Sequence, residues 1–222
     1  FTYTLQDKYI LNASARLDQS NIFGVNTNAK GVPLYSIGLG WNIHRERFFN
    51  DRLFSTLKLR LSYGYNGNVY KEISSRTTAR AETYYSYPIN SGPPYSKIVN
   101  PPYPDLRWEK VGVANVGIDF ILKNQRIKGT LDIFQKKGVD LIGPMFMDPT
   151  TGVTSFTSNN ASTQSFGADL SLTTKNLLGE LQWQTDLLLS HFRDRVLSYR
   201  FMSQENGFVN VGYPVEGKPL YA

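Results

Sequence analysis

Cysteine is absent from the 222 residues, which excludes a disulfide framework and any Cys-ligated metal centre. No run of about 18 apolar residues occurs, so no helix crosses a membrane. A membrane strand stays open, because only alternate residues of a barrel strand face lipid. Histidine is scarce, with only His44 and His191. Both fall at predicted strand ends, on opposite sides of the membrane such strands would cross, so a Ser-His-Asp relay has no histidine close to both partners. No catalytic residue is expected. Gly38-Leu39-Gly40 has neither the third spaced glycine nor the helix of a dinucleotide fingerprint. Asp148-Pro149-Thr150-Thr151-Gly152 lacks the acidic spacing of a calcium loop. The expectation is no cofactor and no metal; calcium on a loop has no support in the sequence.

Clustered positive charge is missing too. The net charge of +6 and pI near 9.4 would admit nucleic acid, anionic lipid or an acidic ligand. The charges are scattered singly through alternating segments, and nucleic acid is therefore not an expected partner. Phe1 opens mid-pattern with no initiator Met, charged n-region or apolar h-region. The expectation is a removed leader or an internal piece of a longer chain.

What the chain does have is aromatic residues, 14% of the total and mostly Tyr and Phe, and a repeated period of two. Leu57, Leu59, Leu61, Tyr63 and Tyr65 share one parity; Lys58, Arg60, Ser62 and Gly64 share the other. A strand turns these sets to opposite faces, one apolar and ending in aromatics, the other charged. The division recurs over residues 9–18, 35–43, 114–122, 127–136, 166–173 and 181–190, with residues 1–5 as a short further strand. Phe134 and Leu188 break the pattern on the polar side. Segments of nine to eleven residues suit tilted strands crossing hydrocarbon, at about 9–11 residues each. A helical turn over 46–54 has only weak support.

The connections carry a second regularity. Those at 6–8, 45–56, 123–126 and 175–180 read as short; those at 19–34, 66–108, 138–164 and beyond 191 read as long and irregular. In an up-and-down meander, strict alternation puts every long loop at one end, as in outer-membrane barrels. The predicted fold class is all-β: an antiparallel up-and-down transmembrane β-barrel segment of about eight strands, with long extracellular loops and short periplasmic turns. Tyr9, Tyr35, Trp41, Tyr63, Tyr65 and Trp183 lie on the apolar parity near strand ends, where interfacial girdles form.

These residues carry a family likeness. Ala13-Ser14-Ala15-Arg16-Leu17-Asp18 with Phe23-Gly24, Ser36 through Ile43 followed by Glu46 and Phe48, and Leu57-Lys58-Leu59-Arg60 through Asn66-Gly67-Asn68 resemble the barrel of SusC/RagA-type TonB-dependent outer-membrane transporters. So do Asp105-Leu106-Arg107-Trp108-Glu109-Lys110, Gly117-Ile118-Asp119-Phe120, Val139-Asp140-Leu141-Ile142 and the stretch from Val211 to Pro219. The resemblance implies a 22-stranded barrel with an N-terminal plug. It implies import of glycans, oligosaccharides or peptides, energised through TonB by way of the N-terminal region. It also implies a SusD-like surface lipoprotein as partner, outer-membrane lipid around the wall, and the bacterial outer membrane as location. Residues 1–222 read as part of one barrel domain from its C-terminal half, without plug, TonB box or terminal strands. The rivals are another outer-membrane barrel (siderophore receptor or porin) and a soluble sugar-binding β-sandwich.

Two residue sets are candidates for function. The polar-parity charges Arg16, Lys58, Arg60, Asp119, Asp132, Asp169 and Asp186 are expected to face the lumen, where they either hydrate and cross-pair or meet the plug or solute. Tyr84, Tyr85, Tyr87, Tyr95 and Tyr103 lie in the long 66–107 stretch. Rings with hydroxyls suit sugar or peptide recognition; equally, they could pack on one another or on the lipoprotein lid.

Overall fold

The computed structural model describes residues 1–21, 31–50, 52–70, 75–83, 92–200 and 214–220. Ten strands follow in chain order: β1 (Thr2–Leu5), β2 (Tyr9–Gln19), β3 (Gly31–Asn42), β4 (Phe54–Asn68), β5 (Thr78–Thr83), β6 (Pro94–Asn100), β7 (Glu109–Leu122), β8 (Ile127–Phe146), β9 (Ser155–Leu178) and β10 (Gln182–Tyr199). Eight of them form one antiparallel sheet in the order β1-β2-β3-β4-β7-β8-β9-β10, while β5 and β6 pair separately as a ribbon. The meander is interrupted only where that ribbon is inserted between β4 and β7.

Register keeps the two faces continuous across the sheet. Trp41, Leu59, Ile118, Leu131, Leu170 and Leu189 align as one row on the apolar face. One residue along, Gly40, Arg60, Gly117, Asp132, Asp169 and Ser190 align on the other. A slip by one residue would exchange every member of these rows, so the pattern fixes the pairing. Among the described residues, none forms a layer over the apolar face. Leu39, Leu61, Val116 and Ile133 are neighbours in register, and each is 40–50% exposed. A contiguous bare apolar face of this kind marks a contact surface, here one for lipid.

The strands overrun their predicted ends. The stretch 138–164 is not a long loop: β8 continues to Phe146 and β9 starts at Ser155. Likewise β10 runs on to Tyr199, so His191 lies within a strand rather than at its end. The physical reason is that ladder hydrogen bonds persist beyond the apolar band, where neither face meets lipid, whereas apolar alternation does not. Ser158-Asn159-Asn160-Ala161-Ser162-Thr163-Gln164-Ser165 has no apolar parity to read, yet every residue in it except Asn160 has a register partner. Predicted irregularity in 66–108 is also corrected, since the β5–β6 ribbon lies inside it. The connections 20–30 and 43–53 prove equal in length, so the alternation of short and long holds elsewhere but not between these two. The described residues of 46–54 form no helix; a 3-10 turn spans Ile43–Arg45 just before them.

Phe134, the exception on the polar face, has a packing reason. A Cβ at Gly167, its register partner, would come within 2.9 Å of the Phe134 ring edge, so the ring lies over the glycine. The Lys136 ammonium sits 5.2 Å from the ring centroid. Leu188 remains 75% exposed on β10, and nothing in the structure explains its side of the sheet.

Candidate functional site

The inner face of the wall is built around Arg60. Its Nε donates to Asp119 Oδ2 and its Nη2 to Asp119 Oδ1, both at 2.9 Å. Nη2 also donates to Asp132 Oδ2 at 3.0 Å, on the strand beyond. A guanidinium fork matches a carboxylate in this way, and lysine could not make the same three contacts. Asn115 completes the set, its Nδ2 donating to Asp132 Oδ1 at 3.1 Å.

Gly117 makes the reach possible. It pairs with Arg60 on one side and Asp132 on the other. A Cβ there would collide with Asp132 Oδ1 and lie 2.7 Å from Arg60 Nη2. The missing side chain is the gap through which the guanidinium crosses β7.

The other polar-parity charges stand apart from this cluster. Asp169 accepts from Ser190 Oγ, and Asp186 accepts from Thr173 Oγ1 at 2.6 Å and Gln184 Nε2 at 2.9 Å. Arg16 pairs with Asp18 at 3.1 Å, largely in solvent. Lys58 lies opposite Asp119 in register. Of the seven candidates, the structure brings Arg60, Asp119 and Asp132 together.

At the end that carries the ribbon, the described residues pack a hydrophobic cluster. Leu106 and Trp108, just before β7, are buried against Val32 and Leu34 of β3, with Tyr103, Val69 and Ile142 around them. Below, Arg107 Nη2 donates to Asp140 Oδ1 at 2.7 Å, and Lys110 lies 3.7 Å from the same carboxylate. Asn159 ties the pieces together: its Nδ2 donates to the carbonyls of Arg107 (2.8 Å) and Asp140 (2.6 Å), and its Oδ1 accepts from the Arg107 N–H (2.9 Å). Asp140 adopts a left-handed φ of 57° at a break in the β8–β9 register. That bulge turns its carboxylate toward Arg107.

Among the tyrosine candidates, Tyr103 is edge-on to Phe156 at 5.6 Å and belongs to the packed base of the loop. Tyr95 is exposed on β6, its hydroxyl donating to Glu82 Oε2 at 2.7 Å; this hydrogen bond raises its pKa. Tyr84, Tyr85 and Tyr87 lie outside the described residues.

The opposite rim is organised by Glu46, for which the sequence suggested no role beyond its place in the family likeness. Its Oε1 accepts from Tyr9 OH at 2.7 Å and Trp41 Nε1 at 3.2 Å; its Oε2 accepts from Lys8 Nζ at 2.9 Å. Tyr9 and Trp41 are stacked at 6.4 Å, and Phe48 closes edge-on against Trp41 at 6.3 Å. At the other rim Tyr35 stacks on Tyr65 at 5.8 Å and meets Tyr63 at 6.2 Å. Tyr35 and Trp41 are six positions apart on β3, about 20 Å along a strand. Two aromatic belts therefore bound the apolar band.

The Tyr9 hydroxyl first, then Lys8 and Trp41, hold the Glu46 carboxyl down at about 2, against the opposing effect of burial. A depressed carboxyl contributes stability that is complete above its ordinary value near 4.5 and lost as pH falls through about 2. An acid titration of the intact barrel, followed by tryptophan fluorescence, should show a transition between those values. Glu46→Gln should remove it.

Among the described residues, no group of three or more His, Asp or Glu side chains is arranged to hold a metal ion. Asp140, Asn159 and Glu46 were not singled out as site residues in the sequence. A left-handed aspartate and a polar residue in a polar run give no periodic signal.

An up-and-down antiparallel wall, apolar outside between aromatic belts and charged inside, defines a transmembrane β-barrel segment. The chain belongs to the family described as TonB dependent receptor-like, beta-barrel, whose model matches residues 1–222. TonB-dependent receptor P39 of Formosa agariphila is 30% identical over 216 residues, covering 96% of this chain and 20% of that protein. TonB-dependent receptor SusC of Bacteroides thetaiotaomicron is 30% identical over 183 residues, covering 79% and 18%. The chain thus spans about a fifth of the length of the curated relatives it matches. In fold it is similar to the RagAB peptide transporter, with TM-score 0.80 at 22% identity over 99% of this chain and 24% of that one. The RagAB peptide importer in its open-open state gives 0.76 at 24% identity, over 95% and 23%. The SusC/RagA likeness read in the sequence therefore stands.

Proposed function

We propose that this chain supplies wall and surface loops to a TonB-dependent importer of oligosaccharides or peptides in the bacterial outer membrane. The observation that carries the reading is the two-faced wall, bare and apolar outside, with the Arg60–Asp119–Asp132 cluster on its inner face. Residues 1–222 form part of one barrel domain of a longer protein. The names of relatives support the solute class: one is SusC, and the similar solved structures are of a peptide importer. A SusD-like lipoprotein is the proposed partner at the ribbon end, and TonB the proposed source of energy, contacted through another part of the protein. Tyr84, Tyr85, Tyr87 and Tyr95 are the proposed solute or lid contacts. Tyr103 holds the base of their loop. The inner charges cross-pair to hold the wall's register, and no catalytic step or cofactor is part of this reading.

Uptake by cells carrying the full-length protein tests this. Labelled oligosaccharides and peptides should accumulate only with TonB intact, and Tyr95→Ala should raise the half-saturating concentration several-fold while Tyr103→Ala lowers the amount of folded receptor. Accumulation that is indifferent to TonB would overturn the importer reading in favour of a passive pore.

A further inference from the structure

At the rim opposite the ribbon, the inner face carries a recess of about 450 Å³ between β4, β7, β8 and β9. It is lined by Arg126, Lys128 and Lys175 with the hydroxyls of Ser55, Thr56 and Thr173. No acidic residue lines it. Arg126 and Lys175 are neighbours across the strands, the Lys175 N–H donating to the Arg126 carbonyl at 2.7 Å. Lys128 stands one step along, opposite Thr173, on the same parity as Asp132. Like charges placed side by side repel, and the cost is removed by an anion held between them.

The contrast with the middle of the wall is direct. There one cation, Arg60, is matched by two carboxylates. Among the described residues, Arg126, Lys128 and Lys175 have no side-chain ion pair. Asp186, two strands from Lys128, feels its charge but is held by Thr173 and Gln184. The Ser55 and Thr173 hydroxyls already donate, to the Ile121 carbonyl and to Asp186, so the three cations with the Thr56 hydroxyl are the donors that match the oxygens of a carboxylate or phosphate group. The recess opens on the inner face, away from lipid.

We propose that Arg126, Lys128 and Lys175 form an anion subsite at the inner mouth of the wall, one that takes the carboxylate or phosphate group of a passing solute. Passage of the solute rests on the importer reading; binding of the anion does not. The subsite would favour acidic solutes over neutral ones of the same size.

The test is calorimetric titration of the detergent-purified full-length receptor with inorganic phosphate and, separately, with acetate. One saturable site in the millimolar range or tighter is expected, weakening as sodium chloride is raised. The R126Q/K128Q/K175Q variant should bind at least tenfold more weakly. R126K/K128R/K175R, which keeps the charges, should bind within threefold, and K97Q on the ribbon should leave binding unchanged. No saturable binding, equal binding by the glutamine variant, or competition by short-chain phosphatidylglycerol alone would overturn the proposal. A receptor that binds phosphate here yet accumulates solute without TonB loses the importer reading and keeps the subsite. One that imports through TonB but binds neither anion loses only the subsite.

Discussion

Gly117→Ala is expected to destabilise the intact barrel by about 2–4 kcal/mol, combining overpacking of a close-fitted site with displacement of a partly shielded ion pair. A Cβ at this position cannot be absorbed by a small shift, since it meets the Asp132 carboxylate on one side and the Arg60 guanidinium on the other. If the guanidinium moves, Asp119 on β7 and Asp132 on β8 are left without their shared cation, and both are more than half shielded from solvent. The Arg60 side chain is itself 35% exposed, so water screens part of the loss and the upper end of the range is a ceiling. The measurement is the temperature at which the purified barrel loses its folded mobility on a gel. A cycle separates steric from electrostatic causes: in an Arg60→Ala background, the added alanine should cost clearly less, because one of the two colliding groups is gone. Equal cost in both backgrounds would show that Gly117 matters for its backbone and not for the gap it leaves.

How much of this was legible beforehand divides along a physical line. Inside the apolar band each strand must present alternate residues to two different media, so the sequence records strand, face and register together. Leu57 to Tyr65 could be oriented from parity alone, and the observed rows follow it. Beyond the band both faces meet water or loops, and the constraint that writes alternation into sequence disappears. That is why 24-residue β9 showed only as residues 166–173, and why an eighteen-residue β10 appeared to end at Ser190. The lumen face was legible as a set of charges but not as a network. Which of them meet depends on a glycine on the strand next to that of Lys58 and on the length of one arginine, neither of which has a period. The anchoring of the tyrosine loop was least legible of all. Asn159 acts through three hydrogen bonds to backbone and Asp140 through a left-handed bulge, and a polar residue in a polar run gives no hint of either. Tyr103 was grouped with the ligand candidates on composition, whereas its contacts with Phe156 and the Leu106–Trp108 cluster put it among packing residues.

Lysine placed at Leu61 should cost about 2–4 kcal/mol in the lipid-embedded barrel, while lysine at the next position, Ser62, should cost less than about 1. Leu61 lies between Leu39 and Val116 in register, four residues from the Tyr65 belt and two from the row of Leu59 and Trp41. A charge there has hydrocarbon on its outer side and apolar neighbours along the row, with a belt of rings between it and water in either direction. Ser62 faces the other way, between Gly38 and Asn115, where a lysine can reach the polar interior. The pair differs by one step of the backbone, so strand propensity and distance from the rims are nearly the same, and the difference reports the medium on each face. Urea titration of the full-length receptor refolded into phospholipid vesicles gives both values. In a detergent that lets the head group snorkel, the Leu61 penalty should shrink and the Ser62 value should not move. Equal tolerance at the two sites in vesicles would mean that the bare apolar face packs on protein and not on lipid, and the assignment of inside and outside for every other residue in these rows would fall with it.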